Sequence, residues 1–173
     1  MKKLETKRLI LRKVTINDLD DLFNNWSSDI KTTKFLKFKT HTTKEETMNF
    51  INNWIKKYEQ KDLIWVIELK ENNQVIGTIS ASKSYKYKCA EIGYSISSKY
   101  WNQGIMTETL IEVIKYLFNE CDFNIIETII PSDNIASIKV AEKCNLKLEA
   151  KLKNRYIDKE NNIQDLLIYS KFK

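Results

Sequence analysis

Hydrophobic residues recur along the chain with two periods, one typical of helices and one typical of strands. Apolar positions three and four residues apart follow two capping-box patterns, Thr15-x-x-Asp18 and Thr43-x-x-Glu46. Short runs rich in β-branched residues predict strands, and Asn72-Asn73 predicts the tight turn of a hairpin. The predicted strands cover residues 8–12, 63–69, 75–80, 89–96, 125–130, 146–156 and 164–172, and the predicted helices begin near residues 15, 43, 104 and 134.

The predicted elements follow the order β-α-α-β-β-β-α-β-α-β-β, with a basic, aromatic-containing loop over residues 28–40 between the first two helices. Strands in blocks around a central β-α-β-α section indicate the α+β class with a mixed sheet. The chain of 173 residues carries no internal repeat and no linker-like segment. We therefore expect one domain over residues 1–173.

Composition excludes several kinds of site. The three glycines, Gly77, Gly93 and Gly104, lie too far apart for a dinucleotide-binding G-x-G-x-x-G or a Walker loop. The single histidine, His41, excludes zinc chemistry of the H-E-x-x-H type. It lies in a polar run, so we expect it on the surface and disfavour a catalytic triad through it. No metal site is expected.

The three cysteines indicate a reducing compartment. Cys89, Cys121 and Cys144 are odd in number, widely spaced and without a C-x-x-C pattern, so they predict free thiols, with Cys144 in the core. The first residues are charged, which disfavours a signal peptide, and no stretch approaches the ~18 apolar residues of a membrane span. We expect a cytoplasmic protein with no membrane partner.

One predicted strand is joined to a helix through a short polar loop that contains Gly104. The unpaired N–H groups and partial positive charge of a helix N-terminus can hold a phosphate or pyrophosphate. Gly104 has no side chain to obstruct an anion. The glycine is also explained by the turn into the helix alone, and the spacing by itself favours that simpler interpretation without excluding the other.

Three motifs resemble those of the GNAT acetyltransferase superfamily, in the branch that includes ribosomal-protein N-terminal (RimJ/RimL-like) acetyltransferases. The first is ETKRLILR, residues 5–12. The second is EIGY, residues 91–94, followed by YWNQGIMTE, residues 100–108. The third is NIAS, residues 134–137, followed by AEKCNL, residues 141–146. The resemblance extends over residues 4–172 in the order of elements given above.

The resemblance implies a fold and a coenzyme site. The fold would be a mixed, mostly antiparallel twisted sheet with helices on both faces, splayed between the fourth and fifth strands. Acetyl-CoA would be the co-substrate, with its pantetheine arm pairing with backbone near Ile96 and reaching Asn134. Met106 stands where relatives have a small residue, which would add bulk beside the coenzyme. The pyrophosphate would lie on the N–H groups of Asn102, Gln103, Gly104, Ile105, Met106 and Thr107.

The resemblance also implies direct attack of an amine on the thioester, without an acyl-enzyme. Ser137 would protonate the leaving thiolate, because Ala141 occupies the position of a tyrosine that many relatives use. Arg155 occupies the position of a glutamate that the branch often carries. Glu91 is then the fallback base, although a structural role at the strand edge explains it equally well. The acceptor side would include Phe35, Leu36 and Tyr156.

Several functions remain open from the sequence. One is acetylation of the N-terminal α-amine of a protein or peptide, and another is acetylation of a small-molecule amine such as an aminoglycoside, polyamine or amino acid. A third is a non-catalytic acyl-CoA-binding module, suggested by the replaced tyrosine and glutamate. The net charge of +6, from 29 basic and 23 acidic residues, is spread along the chain, which disfavours nucleic-acid binding. The acceptor loops are mixed to basic, which disfavours a polycation. We expect a monomer or homodimer.

Overall fold

A computed structural model describes residues 1–60, 62–84 and 88–173. Its strands are β1 (Leu4–Glu5), β2 (Leu9–Arg12), β3 (Leu63–Leu69), β4 (Val75–Lys83), β5 (Cys89–Ile96), β6 (Ile125–Pro131), β7 (Lys147–Ile157) and β8 (Ile163–Phe172). Its α-helices are α1 (Leu19–Leu22), α2 (Ile30–Thr33), α3 (Lys44–Glu59), α4 (Ile105–Glu120) and α5 (Ile135–Lys143).

In the described part of the chain, eight strands form one sheet in the order β1-β2-β3-β4-β5-β6-β8-β7. The β5–β6 pair is parallel, while β1–β2, β2–β3, β3–β4, β6–β8 and β7–β8 are antiparallel. The strand β1 was not expected from the sequence, because two residues are too few to show a period. The predicted α+β class with a mixed, mostly antiparallel sheet is confirmed.

The described residues divide into two compact units. The first unit comprises Met1–Ala81 and Tyr94–Glu112, and the second comprises Ser82–Gly93 and Val113–Lys173. The expectation of one domain over the whole chain stays a prediction. Among the described residues, no helix combines the length and the apolar character that a membrane crossing would need.

In the first unit, the strand β3 is buried on both faces. Trp65, Val66 and Ile67 are fully buried, although consecutive side chains of a strand point to opposite faces. Both faces must therefore be covered, as the predicted placement of helices on both faces requires. Val66 packs in one cluster with Trp26 and with Ile51 of α3.

The two predicted capping boxes both form. The carboxylate of Glu46 accepts the N–H of Thr43 at 3.0 Å, and the carboxylate of Asp18 accepts the N–H of Thr15 at 2.7 Å. Asp18 also forms an ion pair with Arg12 at 2.8 Å. The first helix is nevertheless irregular, with a 3-10 turn at Ile16–Asp18, then α1, then a π-helical turn at Phe23–Ser27.

Two features of the first unit differ from the sequence-based expectation. Residues 28–40 are not wholly a loop, because they contain α2. Asp29 caps this helix by accepting the N–H of Lys31 at 2.9 Å and the hydroxyl of Thr32 at 2.7 Å. His41 is not a surface residue: it is 8% exposed, and its Nδ1 lies 2.9 Å from Oγ1 of Thr47.

In the second unit, β5 and β6 pair only where both strands begin. The paired residues are Cys89 with Ile125, Ala90 with Ile126 and Glu91 with Glu127. The pairing stops at Glu91 and Glu127, although neither strand ends there. These strands are the fourth and fifth of the predicted order, so the predicted splay between them is confirmed.

The rest of the second unit surrounds the antiparallel strand β8, which pairs with β6 on one side and with β7 on the other. The edge strand β7 is exposed along nearly all of its length. Helix α5 ends at Lys143, and Asn145 just beyond its C-cap has a left-handed φ of 61°. Cys144 is buried as expected, and burial raises the pKa of its thiol to about 11. The predicted free thiols are confirmed.

Candidate active site

Where the loop after β5 enters α4, the backbone leaves consecutive N–H groups available. Asn102 and Gly104 have φ angles of 62° and 73°, which suit glycine and, less well, asparagine. The N–H groups of residues 102–106 donate to no other residue of the described chain. The N–H of Glu108 donates to the carbonyl of Gly104 at 3.0 Å, as in a regular helix. The loop thus presents free donors together with the positive end of a 16-residue helix.

The side chains of the first two residues of α4 do not cover the free N–H groups. Ile105 and Met106 are only 3% and 6% exposed. The side chain of Met106 therefore lies in the core rather than beside a ligand. Gln103 donates through Nε2 to a carbonyl of the preceding turn at 3.1 Å, Asn102 is exposed and Thr107 is half-buried. Main-chain groups are the ones best placed to hold a ligand here.

The end of β5 is held closely by its neighbours in the first unit. A Cβ atom added at Gly77 of β4 would lie 2.5 Å from the carbonyl oxygen of Ser95 and 2.8 Å from Cα of Ile96. Only glycine permits this approach. The carbonyl of Ile96 already accepts the indole N–H of Trp101 at 2.9 Å. Because a carbonyl oxygen has two lone pairs, it can still accept a second donor.

Helix α2 is bonded to the start of the same loop. The N–H of Ser98 donates to Oγ1 of Thr32 at 2.9 Å and to the carboxylate of Asp29 at 3.4 Å. Burial raises the pKa of Asp29, but the hydrogen bonds from Ser98, Thr32 and Lys31 outweigh it and lower the pKa overall. The carboxylate therefore stays charged and keeps α2 bonded to the loop.

The predicted acceptor residues Phe35 and Leu36 follow α2 directly, and both are half-buried. Leu36 packs against the cluster that contains Trp26, so part of its side chain has a structural role. The ammonium of Lys34 lies 5.3 Å from the centre of the Phe35 ring. Phe35 is therefore the better placed of the two to meet a ligand.

In the second unit, the residues after the β5–β6 pairing are exposed in mid-sheet. Gly93 is exposed and Ile129 is 38% exposed, although both lie in central strands. An extended ligand lying along these strands would cover them. Glu91, the fallback base, is half-buried and pairs in register with Glu127, which is 3% exposed.

The predicted residues at the start of α5 are brought together by a helix cap. Oδ1 of Asn134 accepts the N–H of Ser137 at 3.2 Å, and both residues are half-buried. The cap fixes the backbone of Ser137 against the amide of Asn134. Ala141 is fully buried, so a larger side chain at this position would have to displace its neighbours.

The hairpin of β7 and β8 carries Tyr156 and Arg155. Tyr156 is half-buried and pairs in register with Gln164, while Arg155 is exposed. Burial, and then the charge of Asp158, raises the pKa of Tyr156. The carboxylate of Asp158 accepts the side-chain amide of Asn162 at 3.0 Å and its backbone N–H at 2.8 Å, which lowers the pKa of Asp158.

Three residues of the first unit shape the loop although none was a predicted site residue: Asp29, and Arg8 and Trp101, which lie within the quoted motifs. Nη1 of Arg8 donates to the carbonyl of Gln103 at 3.1 Å. The pattern Asp29-x-x-Thr32 is a helix-cap signal that a search for caps would find. The contacts of Arg8 with Gln103 and of Trp101 with Ile96 have no such signal in the sequence. They depend on the folded positions of the two partners.

The loop fits a coenzyme that carries phosphate groups. A Cβ atom added at Gly104 would stand in open space, with Nη2 of Arg8 at 3.9 Å as its nearest neighbour. An anion that approaches the free N–H groups needs this space. Residues 102–106, five of the six predicted for the pyrophosphate of acetyl-CoA, therefore have free donors and, at Gly104, open space.

Known proteins are similar to this chain over nearly its whole length. A sequence profile of the acetyltransferase (GNAT) domain matches residues 8–147. The uncharacterized N-acetyltransferase YoaA of Bacillus subtilis (strain 168) is 30% identical over 169 residues, covering 96% of this chain and 94% of that protein. The crystal structure of a GNAT-family acetyltransferase from Bacillus anthracis is similar with a TM-score of 0.87 at 24% identity, covering 99% of this chain and 98% of that one.

The fold also resembles that of RimL, a ribosomal L7/L12 alpha-N-protein acetyltransferase solved in complex with coenzyme A. The TM-score is 0.85 at 20% identity, with 99% of this chain and 98% of that one covered. The resemblance inferred from three sequence motifs is confirmed. The chain belongs to the acetyltransferase (GNAT) family and is an acetyl-CoA-dependent N-acetyltransferase.

Proposed function

We propose that this enzyme acetylates the N-terminal α-amine of a protein or peptide, with acetyl-CoA held by the loop of residues 102–107. The family determines the type of reaction but not the acceptor amine. The protonation chemistry of the hairpin of β7 and β8 bears on the acceptor, because the resemblance implies that the acceptor binds beside this hairpin.

The observation that carries the proposal is that the aspartates of this hairpin are engaged in structural bonds. Asp165 forms an ion pair with Lys151 at 2.8 Å and accepts the N–H of Asn154 at 2.9 Å, which lowers its pKa. The pKa of Asp158 is lowered by its bonds to Asn162. Carboxylates with lowered pKa values are weak bases, and the exposed cation Arg155 takes the place of the glutamate of relatives.

A site with weak bases favours an amine that is already neutral. The α-amine of a protein has a pKa of about 7.7 to 8, so about a third of it is neutral at pH 7.5. A lysine side chain has a pKa of about 10.4, so only about one molecule in a thousand is neutral. The exposed Arg155 would also repel an ammonium group. The α-amine is therefore the chemically easier acceptor.

Acetyl-CoA supplies the acetyl group as a thioester. The loop N–H groups orient the phosphates, and the neutral amine forms a C–N bond to the thioester carbonyl carbon as the C–S bond breaks. Ser137 donates its hydroxyl proton to the departing thiolate and regains a proton through solvent. The nitrogen loses one proton to solvent in the same turnover, so the reaction requires no strong base and no acyl-enzyme.

The similarity to the ribosomal L7/L12 alpha-N-protein acetyltransferase supports an α-amine acceptor. At 20% identity this likeness establishes the fold, so the acceptor must be tested directly.

The test is a panel of acceptors incubated with acetyl-CoA and read by product mass. One peptide has a free α-amine and no lysine. A matched control peptide has a blocked α-amine and one lysine, and a third acceptor is a polyamine. We expect acetylation of the first peptide and little of the other two. Preference for the lysine peptide or the polyamine would overturn the proposal, and binding of acetyl-CoA without turnover on any amine would favour a non-catalytic module.

A further inference from the structure

We propose that Arg8 binds and positions the coenzyme: its guanidinium holds the carbonyl of Gln103 and directs Nη2 to the pyrophosphate of acetyl-CoA. The inference rests on the proposed function, because it requires acetyl-CoA at this loop. Arg8 lies just before β2, far from the loop in sequence but within the same unit.

Arg8 makes a connected set of bonds with the first turn of α4. Its Nε donates to Oε2 of Glu108 at 2.7 Å and its backbone N–H donates to Oε1 at 3.0 Å. The hydroxyl of Thr6 also donates to Oε1 of Glu108, at 2.6 Å. Nη1 reaches the carbonyl of Gln103 at 3.1 Å. The planar fork of the guanidinium is thus fixed in orientation by two partners.

The third nitrogen of the fork faces the loop. Nη2 has no hydrogen-bond partner among the described residues, and it lies 3.9 Å from where a Cβ atom of Gly104 would be. The free N–H groups of residues 102–106 include that of the same glycine and those of its neighbours in the chain. A charged donor beside a set of free backbone donors is a suitable arrangement for a diphosphate.

Arg8 also neutralises the negative charge of Glu108. Partial burial raises the pKa of Glu108, but the bonds from Thr6 and Arg8 outweigh it and lower the pKa overall, so the residue is an anion. An anion in the first turn of α4 would repel a phosphate held at the same helix end. Arg8 neutralises Glu108 and leaves the N-terminus attractive for the coenzyme.

The test compares Arg8→Gln and Arg8→Lys with the wild type in calorimetric binding of coenzyme A. We expect Arg8→Gln to weaken binding by about 10- to 100-fold, because a hydrogen bond between charged groups is lost. Arg8→Lys should lose less, because it keeps the charge but not the fork. The control is Lys44→Gln, an exposed cation paired with Asp20 at 2.7 Å, which should bind as the wild type does. Thermal unfolding reports whether each variant folds, and Arg8→Lys carries the test if Arg8→Gln does not fold.

Two further arms separate a phosphate contact from a structural role. With 3′-dephospho-coenzyme A, the Arg8 variants should lose the same factor as with coenzyme A. A loss that disappears with this ligand would move the contact to the 3′-phosphate and overturn the assignment. Adding Glu108→Gln to Arg8→Gln should recover part of the affinity, because it removes the uncompensated anion. A double variant weaker than Arg8→Gln would mean that Arg8 only supports the fold.

The inference and the proposed function fail differently. Equal affinity of the wild type and Arg8→Gln for coenzyme A would overturn the role of Arg8 alone. A folded wild type that does not bind coenzyme A would overturn the proposed function, and the role of Arg8 with it.

Discussion

The loop between β5 and α4 and the hairpin of β7 and β8 offer different chemical groups to a ligand. Residues 102–106 of the loop present free backbone N–H groups, and the side chains of Ile105 and Met106 are buried. The hairpin presents side chains, among them Arg155 and Lys151, from a strand that is exposed along nearly all of its length. A backbone site keeps its chemistry when side chains change, whereas a side-chain site changes with every substitution. In the proposed function, the first would hold the constant coenzyme and the second would meet the acceptor.

The largest effect should come from placing an anion in the backbone site. We expect Gly104→Glu to weaken coenzyme A binding by at least about 100-fold, because a carboxylate would enter the space of the pyrophosphate. Gly104 has a φ of 73°, so any side chain also strains the loop. Gly104→Asn is the matched control, since asparagine tolerates this angle without adding charge. Equal affinity of Gly104→Glu and the wild type in calorimetry would show that the coenzyme does not bind here.

The next effect should separate turnover from binding. We expect Ser137→Ala to lower kcat by about 10- to 100-fold, near the low end for a general acid, because the leaving thiolate has a pKa of only about 8.5. The affinity for coenzyme A should stay unchanged. Ser132→Ala, in the segment before α5, is the matched control and should turn over normally. A wild-type rate for Ser137→Ala would show that Ser137 is not a general acid and contributes only its contact with the helix cap.

A smaller effect should follow from changing the charge of the hairpin. We expect Arg155→Glu to raise kcat/KM below pH 7 by about threefold to tenfold, a fraction of what a positioned general base provides. Arg155→Gln removes the cation without adding a base, and Lys153→Glu adds a carboxylate elsewhere on β7. An Arg155→Glu profile that matches the Lys153→Glu profile would show that position 155 does not face the acceptor.

The smallest effect should come from Glu91, if its role is structural. We expect Glu91→Gln to change kcat/KM by no more than about twofold at any pH. The measurement is the full pH profile rather than one rate. A fall of about 100-fold that grows at low pH would identify Glu91 as a working base.

The sequence predicted the parts of this molecule that depend on local periodicity. The capping box of Thr43 and the left-handed turn at Asn145 after α5 formed as expected, because caps and turns depend on neighbouring residues. The loop of residues 102–107 was selected by its resemblance to a family motif, and its role in binding the coenzyme stays a prediction. Its geometric details were not predicted, since the left-handed angle of Asn102 is set by the backbone around it.

The features that the sequence did not predict depend on distant partners. His41 lies in a polar run, yet the fold buries it beside Thr47. Arg8 resembles any charged residue beside a strand, until the fold brings it to Glu108 and Gln103. The roles of Glu91 and Tyr156 stay predictions, because they depend on an acceptor whose identity no local pattern encodes.

The most direct test of the proposed chemistry is the pH dependence of kcat/KM for two peptides whose α-amines have different pKa values. We expect kcat/KM to rise with pH for each peptide, with an apparent pKa that follows that of its own free amine. Such behaviour means that the enzyme uses the neutral amine and does not itself deprotonate it. A rate already flat at pH 7, or one apparent pKa shared by both peptides, would mean that a base of the enzyme controls the reaction.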